Sequence, residues 1–146
     1  MLGSDWDVLK YMLDTNMCIH RMKNQPKQVA TRFAECYVGD VVMSAITFAE
    51  LEYGVSVSLN QKKERTHLAN LVEDIPVASF DSAAGSAYGP IRTAIYAPEG
   101  TRESRKDHLD KLIAAHAVSL NVVLVTNNMK DFGKYPGLKT ENWLSV

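Results

Sequence analysis

Short apolar runs alternate with amphipathic stretches along the chain. Tyr11-Met12-Leu13 is an apolar run that stops at Asp14, and Val41-Val42-Met43 is a second, followed by a helix-like stretch from Ile46 to Tyr53. Leu68, Leu71, Val72 and Ile75 recur at i, i+3, i+4 and i+7, which predicts a helix with one buried face. Pro76 ends it, and Val77 to Phe80 reads as a third strand. Asp81-Ser82 has the form of an N-cap, opening a helix with Ala83, Ala87, Ile91 and Ile95 on one face that stops at Pro98-Glu99-Gly100. The best-defined helix carries Leu109, Leu112, Ile113, His116, Ala117 and Leu120 in one stripe and closes at Asn121. Val122-Val123-Leu124-Val125 then reads as a strand. Gly133, Pro136 and Gly137 make the tail from Phe132 to Val146 mostly loop, with a short edge strand near Leu138. Strands alternating with helices predict an α/β domain with a mainly parallel sheet.

The 146 residues suit one compact domain, expected over 11–146, with residues 1–10 as an extension outside it. At 46% hydrophobic and 23% charged residues, the composition excludes disorder, collagen and coiled coil. No apolar run approaches the roughly 18 residues of a membrane span. MLGSDWDVLK lacks the basic and apolar regions of a signal peptide. Cys18 and Cys36 have no metal-like spacing, so they read as reduced thiols of a cytoplasmic protein.

Sixteen Lys and Arg against seventeen Asp and Glu give a formal charge of -1, which by itself argues against a nucleic-acid partner. That sum hides a segregation. Bases gather at Arg21-Lys23-Lys27, Lys62-Lys63-Arg65 and Arg102-Arg105-Lys106, while a few acids sit where strands end.

Asp14 ends the first strand, Glu50 lies in the helix after the second, and Asp110 lies near the start of the best-defined helix. Thr126, Asn127 and Asn128 follow the strongest strand, with Asp131 close behind. Parallel α/β sheets gather their ligand sites outside the carboxyl ends of the strands, where the strand order reverses, so Asp14 and Asn127 are expected to meet there. Taken singly, each residue has a structural reading. Asp14-Thr15-Asn16 suits a capped turn, Glu50 a solvated helix face, Asp107 and Asp110 a helix N-terminus, and Asp131 the surface. His116, on the apolar stripe, reads as a structural histidine rather than a general base. Taken together, the acids would repel: two unit charges at about 4 Å cost roughly 4 kcal/mol at an effective dielectric of 20. Such a cluster needs cations or protons, and oxygen donors without His or Cys favour Mg²⁺ or Mn²⁺ over zinc.

Across these phrases the chain resembles the PIN-domain endoribonucleases, and more narrowly the VapC toxins of type II toxin–antitoxin pairs. The resemblance runs from Tyr11 to Trp143. It rests on Met12-Leu13-Asp14-Thr15-Asn16, Ala49-Glu50-Leu51 with Tyr53-Gly54, and Asp110 with Leu112-Ile113-Ala114-Ala115-His116-Ala117. Leu124-Val125-Thr126-Asn127-Asn128, Asp131-Phe132, Pro136-Gly137-Leu138 and Glu141-Asn142-Trp143 complete it. The order of these phrases is specific where each alone is weak.

The resemblance implies a three-layer α/β/α sandwich with an acidic pocket for Mg²⁺ or Mn²⁺. It assigns Asp14, Glu50 and Asp110 to the family's acidic positions as catalytic and metal-holding residues. A fourth acid commonly follows the strand directly. This chain has Asn127 and Asn128 there, which leaves Asp131 for that role and gives Thr126 and Asn127 the task of hydrogen-bonding metal-bound water. It further implies hydrolysis of RNA, with the anticodon loop of initiator tRNA as the expected target, an antitoxin that plugs the pocket, and a homodimer. The chain departs from its relatives in a longer, basic stretch, Thr101 to Lys106. That stretch is either a solvated loop or a place where Arg102, Arg105 and Lys106 meet RNA phosphates. Two rival functions remain at this point. A phosphoreceiver-like signalling domain would use Asp81 after the third strand, but it pairs two acids after its first strand, and Asp14-Thr15 lacks the pair. A non-catalytic RNA-binding scaffold has no reason to tolerate the repulsion among the three acids.

Overall fold

The computed structural model describes residues 9–23, 27–35, 39–94 and 105–144. Five strands, β1 (Tyr11–Leu13), β2 (Val41–Ser44), β3 (Val77–Ala78), β4 (Val123–Val125) and β5 (Lys139–Glu141), form one sheet in the order β3-β2-β1-β4-β5. Every neighbouring pair is parallel. All strand carboxyl ends therefore lie along one edge. The central strand β1 is flanked there by β2 and β4, the point at which the strand order reverses.

Seven helices among the described residues connect the strands: α1 (Thr15–Met22), α2 (Lys27–Ala34), α3 (Ala45–Ser56), α4 (Gln61–Asp74), α5 (Ser82–Ala94), α6 (Arg105–Leu120) and α7 (Met129–Phe132). Side chains alternate across the sheet and divide the core in two. Leu13, Val41, Met43 and Val125 pack with Met17, Leu51, Val55, Leu68 and Leu71 of α1, α3 and α4. Met12, Val42 and Leu124 pack with Ile91 of α5, Ile113 to Ala115 of α6 and Phe132 of α7. A parallel sheet covered by helices on both faces is the three-layer α/β/α arrangement, and it explains why β1, β2 and β4 are continuous apolar runs.

The strand-to-helix junctions are tight. Ser44 ends β2 and caps α3 at once, its Oγ accepting from Ile46 N at 3.0 Å. Asp81 caps α5, its Oδ1 accepting from Ala84 N at 3.0 Å. Asn121 closes α6 at φ 56°, the left-handed conformation that Asn tolerates better than most residues. The helix begins at Arg105, so Asp107 lies inside its first turn and not at its cap.

β5 is held down by a clamp. Arg32 of α2 donates from its guanidinium to Glu141 Oε1 at 2.6 Å, and the same oxygen accepts from Trp143 Nε1 at 2.8 Å. The guanidinium lies 5.3 Å from the centre of the Trp143 ring, and that ring meets Tyr11 edge-on at 5.4 Å. The hydrogen bond that Arg32 donates to Glu141 raises the Arg32 pKa further above its ordinary value.

Several elements differ from the sequence expectation. The third strand pairs only at Val77–Ala78, because it is an edge strand with one partner. The short edge strand expected near Leu138 is present as β5, one residue later, paired with β4. Helices α1, α2 and α7 were not marked by the apolar pattern.

Candidate functional site

Asp14 stands where β1 stops and α1 starts. It caps the helix, its Oδ1 accepting from Met17 N at 2.8 Å. It is 4% exposed, so the capping turn and a place in a buried acidic site are both features of the same residue. Burial, with the nearby Asp14 charge as a second cause, pushes the Cys18 thiol well above its ordinary range. Cys18 is thus an inert, buried thiol. Cys36 lies outside the described residues.

Glu50 projects from the second turn of α3. Its Oε1 accepts a 2.6 Å hydrogen bond from Thr15 Oγ1, which also lies 3.2 Å from Thr47 Oγ1. Asp110 comes from α6, on the other face of the sheet from Glu50. Asp14, Thr15, Asn16, Glu50, Asp110, Asn128 and Phe132 line one cavity of about 50 Å³ at the carboxyl edge of the sheet. The cavity has room for a cation with a water or two, since a single water needs on the order of 10–15 Å³ by this measure. A nucleotide does not fit, so a polymeric substrate has to lie across the mouth.

The residues after β4 fall one position away from expectation. Asn127 is exposed and does not line the cavity; Asn128 does. Thr126 is fully buried, and its Oγ1 accepts from Asn128 N at 2.9 Å, so its hydroxyl shapes the turn rather than facing the cavity. Asp131 stands behind Asn128, its Oδ2 accepting from Asn128 Nδ2 at 2.9 Å. This bond fixes which way the amide points. The chain bends at Asn127 just after β4, and that bend exchanges the roles of the two asparagines. Thr15, Asn16, Thr47 and Asn128 thus join the site or its support. A hydrophobicity pattern carries no signal for these polar residues, and the partners of Thr15 and Thr47 are also distant in sequence.

Among the described residues no three His, Cys, Asp or Glu side chains converge to metal-ligand distance as placed. The acids line the cavity, with Glu50 held toward Thr15 and Asp14 toward Met17. The polar lining is three carboxylates, two amides and a hydroxyl. These are hard oxygen donors, which fit Mg²⁺ or Mn²⁺ and not zinc.

A groove of about 620 Å³ opens beside the cavity and shares Thr15, Asn16 and Glu50 with it. Ile19, Met22, Leu51 and Val55 give it an apolar floor, and Lys23, Lys63 and His67 add polar and basic groups. Other members of the basic clusters are paired: Arg21 meets Asp74 at 3.5 Å and Arg65 meets Glu52 at 2.6 Å. Arg102 and the side chains of Lys27, Arg105 and Lys106 lie outside the described residues.

His116 is 1% exposed, with Nδ1 2.8 Å from Ser44 Oγ and its ring edge-on to Phe80 at 5.3 Å. It ties α6 to the cap of α3 and does not line the acid cavity. Burial lowers its pKa below the ordinary histidine value, against the opposing pull of Asp81 and the Ser79 backbone. The unfolded chain takes up this proton near pH 6.5 and the folded chain only at lower pH. Stability should therefore be unaffected by this group above about pH 7. Below about 6.5 it should fall by up to roughly 1.4 kcal/mol per pH unit, until the folded histidine titrates. His116→Gln should lower the melting temperature at neutral pH yet flatten its slope just below about pH 6.5 relative to the parent. Parallel slopes in the two proteins would contradict this.

Asp81 is exposed and committed to its cap on α5. The strand order also differs from the 2-1-3-4-5 order of flavodoxin-like receivers. Among the described residues no helix is long and apolar enough to cross a membrane.

Comparison with known proteins agrees with this fold. The PIN domain family matches residues 11–138. The tRNA(fMet)-specific endonuclease VapC of Shigella flexneri is 36% identical over 137 residues, covering 93% of this chain and 99% of the relative. The structure of DNA-bound VapBC from Salmonella typhimurium superposes with a TM-score of 0.81 at 36% identity, covering 92% of this chain and 98% of that one. That of VapBC2 from Rickettsia felis, bound to a DNA fragment from its promoter, superposes with a TM-score of 0.77 at 31% identity, covering 92% and 99%.

Proposed function

Since the chain belongs to the PIN domain family, we propose that it is a divalent-metal-dependent endoribonuclease, the toxin of a toxin–antitoxin pair, acting at the Asp14–Glu50–Asp110 cavity. One observation carries the reading. Three acids from α3, α6 and the end of β1 line one small cavity at the switch point of the sheet. Asp14, Glu50 and Asp110 would hold Mg²⁺ or Mn²⁺. A bound cation would supply charge neutralisation at the scissile phosphate and would lower the pKa of a water so that its deprotonated form is available as nucleophile.

The chain's own residues do the rest. The α1 N-terminus holds Asp14 in place through Met17 N, so one carboxylate oxygen is fixed by the backbone. Thr15 holds Glu50. Asp131 orients the Asn128 amide at the rim, which gives it a supporting place behind the cavity wall. The small volume keeps bases out, so a phosphodiester would meet the acids at the mouth. Cleavage breaks one P–O bond; water supplies the hydroxyl to phosphorus and a proton to the departing oxygen.

The substrate in this reading is structured RNA, with the initiator tRNA anticodon loop as the first candidate, as the name of the Shigella flexneri relative suggests. The partner is a cognate antitoxin seated on the apolar-floored groove that opens into the cavity, and the protein acts as a homodimer in the cytoplasm. Residues 11–146 act as one catalytic domain. Arg102, Arg105 and Lys106, just ahead of Asp110, contact phosphates. Exchanging these three for Ala should weaken RNA binding and lower the slope of log affinity against log salt by about 2 to 3, near 0.7–0.9 per lost contact. An unchanged slope would remove them from the interface.

The test of the function is incubation of total bacterial RNA with the purified protein, with Mg²⁺ or with chelator, followed by mapping of new RNA ends. Discrete Mg²⁺-dependent cuts are expected. An RNA pool unchanged under both conditions would overturn the proposal.

A further inference from the structure

The Thr15 hydroxyl has one proton and two oxygen neighbours: Glu50 Oε1 at 2.6 Å and Thr47 Oγ1 at 3.2 Å. An ionised carboxylate only accepts, so the proton of Thr15 goes to Glu50. The contact with Thr47 is then a hydrogen bond only if Thr47 is the donor. The two hydroxyls form a directed chain, Thr47 to Thr15 to Glu50. Thr47 is fully buried and sits one turn before Glu50 on α3, while Thr15 reaches in from the start of α1. Thr47 lines neither the acid cavity nor the adjoining groove, so it touches neither a cation held there nor a polymer across the mouth.

We propose that Thr47 is a positioning residue which, through Thr15, holds the Glu50 carboxylate in place and so sets the cation affinity of the acid cavity. The inference rests on the cation-site reading above and adds a residue to it. Glu50 is only partly buried and has a long flexible side chain, so without an anchor it samples several rotamers. A hydroxyl that is itself hydrogen-bonded also donates more strongly, because chained bonds polarise one another. Supporting partners of metal-holding side chains commonly change affinity by about 10- to 100-fold when removed. Thr47 acts at one remove, so the lower end of that range applies.

Threonine allows a clean test. Valine keeps its branched shape and lacks the hydroxyl; serine keeps the hydroxyl and lacks the methyl group. Mn²⁺ binding to the full chain is measured by calorimetry for the parent, Thr47→Val and Thr47→Ser, with Asp14→Asn and Glu50→Gln alongside. Thr47→Val should bind Mn²⁺ about tenfold more weakly, and Thr47→Ser should restore parental affinity. In RNA cleavage Thr47→Val should need more metal for half-maximal rate, with an unchanged KM for RNA. Parental Mn²⁺ affinity in Thr47→Val, while Asp14→Asn and Glu50→Gln lose binding, would overturn the positioning role alone. Equal weakening in Thr47→Val and Thr47→Ser, tracking a lower melting temperature, would assign Thr47 to packing. Parental affinity in Asp14→Asn and Glu50→Gln would overturn the cation site and the positioning role together.

Discussion

Asp14→Asn is expected to abolish RNA cleavage and leave the protein folded. The substitution separates two jobs of one residue. As a cap, Asp14 needs an oxygen that accepts from Met17 N, and Asn supplies the same Oδ1 with nearly equal capping strength. In the proposed role of cation holder, it would need its charge, and Asn lacks it. Charge stabilisation by a bound metal is worth several kcal/mol at the transition state, and each 1.36 kcal/mol is tenfold in rate. The rate should fall at least about a hundredfold. In the absence of divalent cations the melting temperature should be equal to or above that of the parent, because one of three mutually repelling charges is gone. Asp14→Ala should also lose the cap, at about 1 kcal/mol, and melt lower than Asp14→Asn.

Trp143→Ala should be the most damaging single change to stability outside the central strands. The indole is 3% exposed, meets Tyr11 edge-on, lies beside the Arg32 guanidinium and donates to Glu141. Removing a buried Trp costs about 3–5 kcal/mol, a large share of the 5–15 kcal/mol typical of a domain. The melting temperature should drop on the order of 10 °C. Activity at low temperature should fall as well, because β5 supports the catalytic edge: Thr126 N donates to the Glu141 carbonyl at 3.0 Å, and Thr126 shapes the Asn128 turn. Trp143→Phe keeps most of the ring and should recover most of the stability. A loss below about 1 kcal/mol for Trp143→Ala, measured by denaturant unfolding, would show that the clamp does not fasten β5.

The sequence made the buried parts of this fold legible and left the half-polar parts obscure. β1, β2 and β4 are covered on both faces, so each is a continuous apolar run. α6 is legible because its stripe is long, and Ile113 to Ala117 are all buried. α1 escaped notice because it opens on Thr15 and Asn16, and only Met17 and Cys18 along it are buried. The Asp14-Thr15-Asn16 turn was visible; the helix it caps was not. β5 has a half-exposed pattern, Lys139-Thr140-Glu141, and is held by side chains that belong to α2 and to the segment after it.

The site divides in the same way. Asp14, Glu50 and Asp110 could be placed by the positions of strand ends and by family phrases, and the cavity they line brings them together. Asn128 could not be told from Asn127, because the choice depends on the phase of one turn after β4. Thr15 and Thr47 were beyond reach, since their hydroxyls pair across 32 residues with no period to announce it. The formal charge of -1 also misled when taken as a sum. The acids line the cavity while Lys23 and Lys63 line the groove that meets it at Glu50, and a bound cation would reverse the local sign at the cavity.

The central claim is that the Asp14–Glu50–Asp110 cavity is a cation-dependent RNA-cleaving centre. The most direct measurement is the single-turnover cleavage rate of one mapped RNA target as Mg²⁺ is titrated from chelator to saturation, for the parent and for Asp14→Asn. Expected are no cleavage in chelator, a saturable rise with Mg²⁺ in the parent, and a rate at least about a hundredfold lower in Asp14→Asn at the same saturating Mg²⁺. Cleavage that persists in chelator, or a parental rate in Asp14→Asn, would contradict it.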